Sequence, residues 1–250
     1  RLLVTSVVWR PRAEPVVVQG TDRWRQQLEY CLPFGGSMIV SSLSASLGSL
    51  FVAKMIGPVA LAHYTIGTYV QPIIGILRNS ISDVLLPEMV ARSRDSQADS
   101  LLLFRRTTVV ITICLLAAAV LVARFAEALV VALFSAEYLP AVIVMQLFAL
   151  AFVRECVDFG VPLRAINRTQ PILIANALGI GVNLALLLVL LPEKGLAGAV
   201  GAYVVSRVVD GVYLAVALKH AYQVSYAALA PWKDLAKVAA AGSLAAVVLY

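Results

Sequence analysis

The sequence predicts an all-α protein, a polytopic bundle of transmembrane helices. Thr169 to Leu191 holds 23 consecutive residues without a charge. At about 1.5 Å per residue, a helix of that length crosses the roughly 30 Å hydrocarbon core of a bilayer. Similar apolar runs recur on either side, separated by short charged connections. Composition agrees, with 61% hydrophobic and 14% charged residues, whereas a soluble domain has about 45–50% and about 25%.

Taken in order, Leu2–Trp9 reads as the last turns of a preceding span, and residues 10–29 as a polar loop carrying Arg10, Arg12, Arg23 and Arg25. Trp24, Leu28 and Cys31 share one helical face, which suggests an interfacial helix from Trp24 to Leu32. Six spans follow: Tyr30–Val52, Leu61–Leu86, Thr107–Val122, Leu139–Leu163, Thr169–Leu191 and Gly195–Leu218. Ala126–Tyr138 reads as an interfacial helix or a re-entry. A seventh apolar run opens at Ala236. The organisation expected is the end of a span and a loop over 1–29, a six-helix lobe over 30–218, and a connection with the start of an additional span over 219–250. The chain begins at Arg1 and stops inside an apolar run, so a piece of a longer protein is expected.

Loop charge sets the expected orientation. Lys and Arg number four in 10–29, one near Lys54, four in 88–106, one in 123–138, two in 164–168, one near Lys194 and three in 219–237. By the positive-inside rule the richer loops face the cytoplasm. The net charge of +6 therefore reads as membrane topology. There is no basic run on a polar face, so nucleic acid is not an expected partner.

Small residues at Gly198 and Ala202 would let the sixth span pack closely on a neighbour. Pro33 and Pro72 would interrupt the first and second spans. Gln71, Gln146, Asn176 and Asn183 suit hydrogen bonds between helices, with lining of the path as the alternative. Cys31, Cys114 and Cys156 are isolated in apolar stretches without metal-ligand spacing, and they read as packing residues. Nothing resembles a nucleophile with its base, a phosphate loop or a metal site, so no catalytic residue, cofactor or metal is expected.

The second, fourth and sixth spans carry all the ionisable groups expected at membrane depth: Arg78 and Asp83, then Arg154, Glu155 and Asp158, then Arg207 and Asp210. Such charges are costly and must face a cavity or one another. Arg78, Arg154 and Arg207 could line one cavity and hold a phosphate or diphosphate through bidentate hydrogen bonds. Glu155, Asp158 and Asp210 would support them or carry a coupling proton. The local alternative pairs Arg154 with Asp158 at i,i+4 and Arg207 with Asp210 at i,i+3.

Several stretches resemble a known family. Tyr30-Cys-Leu-Pro-Phe34 opens a Ser/Gly-rich span, and Met55-Ile-Gly-Pro-Val-Ala-Leu-Ala-His-Tyr64 leads to Leu85-Leu-Pro-Glu88. Leu133-Phe-Ser-Ala-Glu-Tyr138 precedes the fourth span. Asn183 and Leu190-Leu-Pro-Glu-Lys-Gly-Leu-Ala-Gly-Ala199 join the fifth and sixth. In order and spacing, over nearly the whole chain, these resemble the Wzx/RfbX-type polysaccharide flippases of the multidrug/oligosaccharidyl-lipid/polysaccharide exporter superfamily. The resemblance implies two pseudo-symmetric six-helix lobes around a central cavity, of which this chain holds the second. It implies a multi-pass protein of the bacterial inner membrane that flips an undecaprenyl-diphosphate-linked oligosaccharide by alternating access, for O-antigen, capsule or exopolysaccharide. Membrane lipids, H+ or Na+ as coupling ion, and other polysaccharide-assembly proteins are the implied partners. The competing readings are a cation-coupled multidrug exporter, whose cavity would favour acids and aromatics, and a membrane-embedded polymerase or ligase, which would need a large outer loop.

Overall fold

The computed structural model describes residues 22–248, and its elements are all helical. Helices α1 (Asp22–Met55), α2 (Pro58–Thr68), α3 (Val70–Asp95), α4 (Gln97–Leu133), α5 (Ala141–Glu155), α6 (Gly160–Ala165), α7 (Gln170–Tyr222), α8 (Tyr226–Leu229) and α9 (Trp232–Val248) follow one another, with a 3-10 turn at Ala136–Tyr138. Among the described residues, α1, α4 and α7 are each long and apolar enough to cross a membrane. The expected end of a preceding span at Leu2–Trp9, with Arg10 and Arg12, lies outside the described residues.

Proline and glycine place the breaks. Pro72 has no N–H for the Thr68 carbonyl, and its ring crowds that carbonyl; α2 stops at Thr68. Pro162 does the same to Asp158, and the fourth pass breaks over residues 156–159. Near Pro192, Gly195 adopts φ 58°, ψ −137°, a conformation that glycine reaches without steric cost. There α7 folds back into two antiparallel arms: Gly179 lies against Asp210 and Ser206, and Gly198 against the main chain of Leu190, where no side chain fits.

Three sequence readings need correction. Pro33 does not interrupt the first pass, since α1 runs through it and also absorbs the expected interfacial helix at Trp24–Leu32. The 88–106 connection is helical: α3 reaches Asp95, Ser96 alone turns the chain, and its hydroxyl accepts from the Asp99 N–H at 3.3 Å. Most of Ala126–Tyr138 is likewise no separate helix. It continues α4, whose 37 residues span about 55 Å. Charged residues near its ends made it look like a loop, yet they only lie on the parts of the helix that exceed an apolar core.

Side-chain amides fix the packing of α1 on the first arm of α7. The Thr169 hydroxyl donates to the Tyr30 carbonyl (3.1 Å), the Asn176 amide to that of Ser37 (3.0 Å), and the Asn183 amide to that of Ser44 (3.1 Å). All three contacts join residues 139 apart, so the two helices run parallel in a seven-residue register. α5 is parallel to the second arm, with Phe148 against Tyr203 and Arg154 against Asp210. α3 follows α5 in the same sense, with Gly67 just before it against Val144 and Arg78 against Glu155. Alternate passes thus run the same way, as a chain that crosses with each pass requires.

The buried apolar side chains form three groups. One lies at the Ser96 end, around Met89, Phe104, Leu163 and Leu218. Another lies at the Gly57/Gly195 end, around Val52, Phe148, Leu187 and Leu191. The third, around Ile74, Leu115, Val130 and Phe152, fills the space among α2 to α5. Outside, Leu50, Val84, Val110, Leu150 and Val212 stand exposed, as expected where the surrounding medium is itself hydrocarbon.

Candidate functional site

Five of the six site residues expected from sequence come together where α3, α5 and the second arm of α7 meet. Glu155, the last residue of α5, accepts from Arg207 Nη2 at 2.8 Å and Nε at 3.1 Å, and also pairs with Arg78. Arg207 Nη1 reaches Asp210 Oδ2 at 2.6 Å, and Asp210 Oδ1 takes Arg154 Nη2 at 2.8 Å. The result is an alternating chain, Arg78–Glu155–Arg207–Asp210–Arg154. Within this hydrogen-bonded chain three guanidinium groups share two carboxylates, a local excess of one positive charge; Asp83 and Asp158 line the adjoining chamber together with Arg164.

The local pairing of Arg154 with Asp158 does not form, because the helix ends at Glu155 and the i,i+4 geometry is lost. Arg154 turns instead to α7. Its Nε donates to the Arg207 carbonyl (2.7 Å), and its Nη1 to the Val157 carbonyl (3.2 Å) that the break exposes. Gly211 makes room: a Cβ there would lie 2.7 Å from the Arg154 Cζ and 2.8 Å from Nη2. The Arg207–Asp210 pair at i,i+3 does form. Asp158, the sixth residue, stands apart. Its Oδ1 accepts from the Gly160 N–H at 2.9 Å, and its Oδ2 is 4.0 Å from Arg164 Nη2.

The cluster forms a waist between two connected cavities. The inner one, about 320 Å³, is lined by Ser41 and Ser44 of α1, Gln71, Asn176, Tyr203, and by Arg78, Glu155, Arg207 and Asp210. The outer chamber, about 630 Å³, extends toward the Ser96 end past Phe34, Asn79, Asp83 and Arg164. Sequence reasoning missed Gly211, Tyr203 and Arg164. Only Arg164 had a visible signal, a cation two residues after a helix-breaking proline, and it was counted with the loop.

The sequence matches the family described as "Polysaccharide biosynthesis protein" over residues 1–143, more than half of the chain. The chain belongs to the polysaccharide biosynthesis protein family. Within this family member, the matched stretch supplies one wall of the site, including Ser41, Gln71 and Arg78. Glu155, Arg207 and Asp210 come from the part beyond it. No curated protein matches. Two solved structures share the fold at a TM-score of 0.62. One is a MOP superfamily transporter from Pyrococcus furiosus, described with a binding pocket of reverse polarity, at 21% identity. The other is an outward-facing multidrug resistance MATE family transporter of the MOP superfamily, at 20% identity. Each comparison covers 89% of this chain and 52% of the other, so this polysaccharide biosynthesis protein spans about half the length of the structures it resembles. It is a multi-pass membrane protein with the fold of MOP superfamily transporters.

Proposed function

We propose that the protein is a membrane transporter that moves an undecaprenyl-diphosphate-linked oligosaccharide from the cytoplasmic to the outer leaflet of a bacterial inner membrane, by alternating access, for a surface polysaccharide. The family and the fold support transport in polysaccharide assembly. The observation that carries the anionic substrate is the charge excess at the waist of the cavity, three arginines to two carboxylates on side chains that are 3–27% exposed. A buried excess charge is costly in a membrane, and an anion brought to it recovers that cost.

The arginines divide the work. Two of the three nitrogens of Arg154 are held by main-chain carbonyls, which cannot leave, so Arg154 positions α5 against α7. Arg78 and Arg207 are held by carboxylates on rotatable side chains. They can exchange Glu155 for the oxygens of a diphosphate, with the planar fork of each guanidinium matching two of them. Glu155 and Asp210 keep the forks aligned while the site is empty.

Deletion of the gene should make lipid-linked oligosaccharide accumulate on the cytoplasmic leaflet, and reconstituted protein should flip a fluorescent lipid-linked glycan in proteoliposomes. Unchanged glycan export together with altered drug resistance would favour a multidrug exporter instead. Orientation has its own test. With Cys31, Cys114 and Cys156 removed, Lys194→Cys should react with an impermeant maleimide in whole cells and Arg94→Cys should not. The reverse pattern would overturn the assigned direction.

A further inference from the structure

We propose that Arg164, which lies over the Phe34 ring in the wall of the outer chamber, is a second phosphate-binding position, the docking site that receives the anionic group before it reaches the waist. Four arginines line that chamber. Arg78, Arg154 and Arg207 are each hydrogen-bonded to carboxylates. Arg164 is different: its side chain is only 17% exposed, yet its nearest carboxylate, on Asp158, is 4.0 Å away, beyond hydrogen-bond reach. Asp158 is kept there by its bond to the Gly160 N–H. Among the described residues, no side-chain nitrogen of Arg164 makes a hydrogen bond.

The guanidinium carbon lies 5.5 Å from the centroid of the Phe34 ring. A cation over the face of an aromatic ring is held there by cation–π attraction. A guanidinium mostly withdrawn from solvent, whose side-chain nitrogens make no hydrogen bond among the described residues, suits a phosphate oxygen pair. Ser37, Ser41 and Asn79 line the same chamber and give the ligand further polar partners. The chamber shares Arg78, Arg207 and Asp210 with the inner cavity, so an anion released by Arg164 meets the waist without crossing an apolar barrier. The ligand chemistry is a phosphate or diphosphate ester. Its source in a lipid-linked glycan rests on the transport reading above; a phospholipid headgroup carries the same chemistry.

The test uses the full chain in phosphatidylcholine nanodiscs, with farnesyl diphosphate and inorganic pyrophosphate as probes. Wild type should bind both. Arg164→Ala and the polar, uncharged Arg164→Gln should weaken binding by about tenfold or more, as expected for the loss of a charge-assisted pair, at an unchanged unfolding temperature. Arg164→Lys should keep part of the affinity, and Phe34→Leu should lose less than Arg164→Ala. Wild-type affinity in a folded Arg164→Gln protein, or no binding of either probe to wild type, would overturn the site. Arg164-dependent binding by a protein that flips no lipid-linked glycan would keep the site and sink the transport reading. Nanodiscs containing phosphatidylglycerol separate the two sources, because Arg164-dependent competition by that lipid would identify the headgroup as the ligand.

Discussion

Arg207→Met should give a folded protein that no longer exports glycan. Arg207 is the middle of the five-residue chain. Removing it leaves Arg78 with Glu155 and Arg154 with Asp210, two balanced pairs in place of three cations on two anions. The loss of its bonds to Glu155 and Asp210 costs about 1.5–3 kcal/mol for a hydrogen bond to a charged group, but no buried carboxylate is left alone. On the proposed transport reading, the local excess charge that would draw an anionic substrate disappears. Export in a complemented deletion strain should fall to background while the unfolding temperature in detergent drops only modestly. Arg207→Lys restores the charge without the planar fork and should recover part of the activity. Normal export by Arg207→Met would exclude the waist as the binding site.

Asp210→Ala should have the opposite character. The Asp210 side chain is 3% exposed and accepts from two arginines on two helices. Without it, Arg78 and Arg207 share Glu155, and Arg154 loses the carboxylate it pairs with. Breaking a buried ion pair from one side costs about 3–5 kcal/mol, a large part of the stability of a typical fold. The variant should yield little monodisperse protein. Adding Arg154→Met should recover yield, because two cations on one carboxylate restore the native excess of one. If Asp210→Ala alone unfolds at the wild-type temperature, the cluster does not tie α5 to α7.

The elements that were readable from sequence are those set by the solvent. The uncharged run at Thr169–Leu191 and the alternating loop charges report the bilayer directly, and the parallel running of alternate passes is in keeping with them. Asn176 and Asn183 were readable for the same reason, since an amide in an apolar run needs a partner on another helix. What spacing alone could not give is the pairing across helices. Arg154 and Asp158 stand four apart, and a continuous helix would join them. Pro162 decides otherwise, and the partner that results, Asp210, is 56 residues away. Gly211 carries no chemistry of its own and is visible only once Arg154 lies on it. Helix α4 was misjudged because a helix longer than the membrane is thick carries charges that resemble a loop.

The bonds between α1 and the first arm of α7 are one-sided. Thr169, Asn176 and Asn183 supply the donors, and each donates to a main-chain carbonyl of α1. Every amino acid brings the same carbonyl, so at Tyr30 and Ser37 the alignment does not depend on the side chain, while at Ser44 the hydroxyl adds a second acceptor for Asn183 at 3.3 Å. Inheritance is therefore constrained unequally. The later helix must keep its three donors at intervals of seven, while the earlier one can exchange most of its side chains, and so reshape the wall of the cavity, without disturbing the frame that holds it.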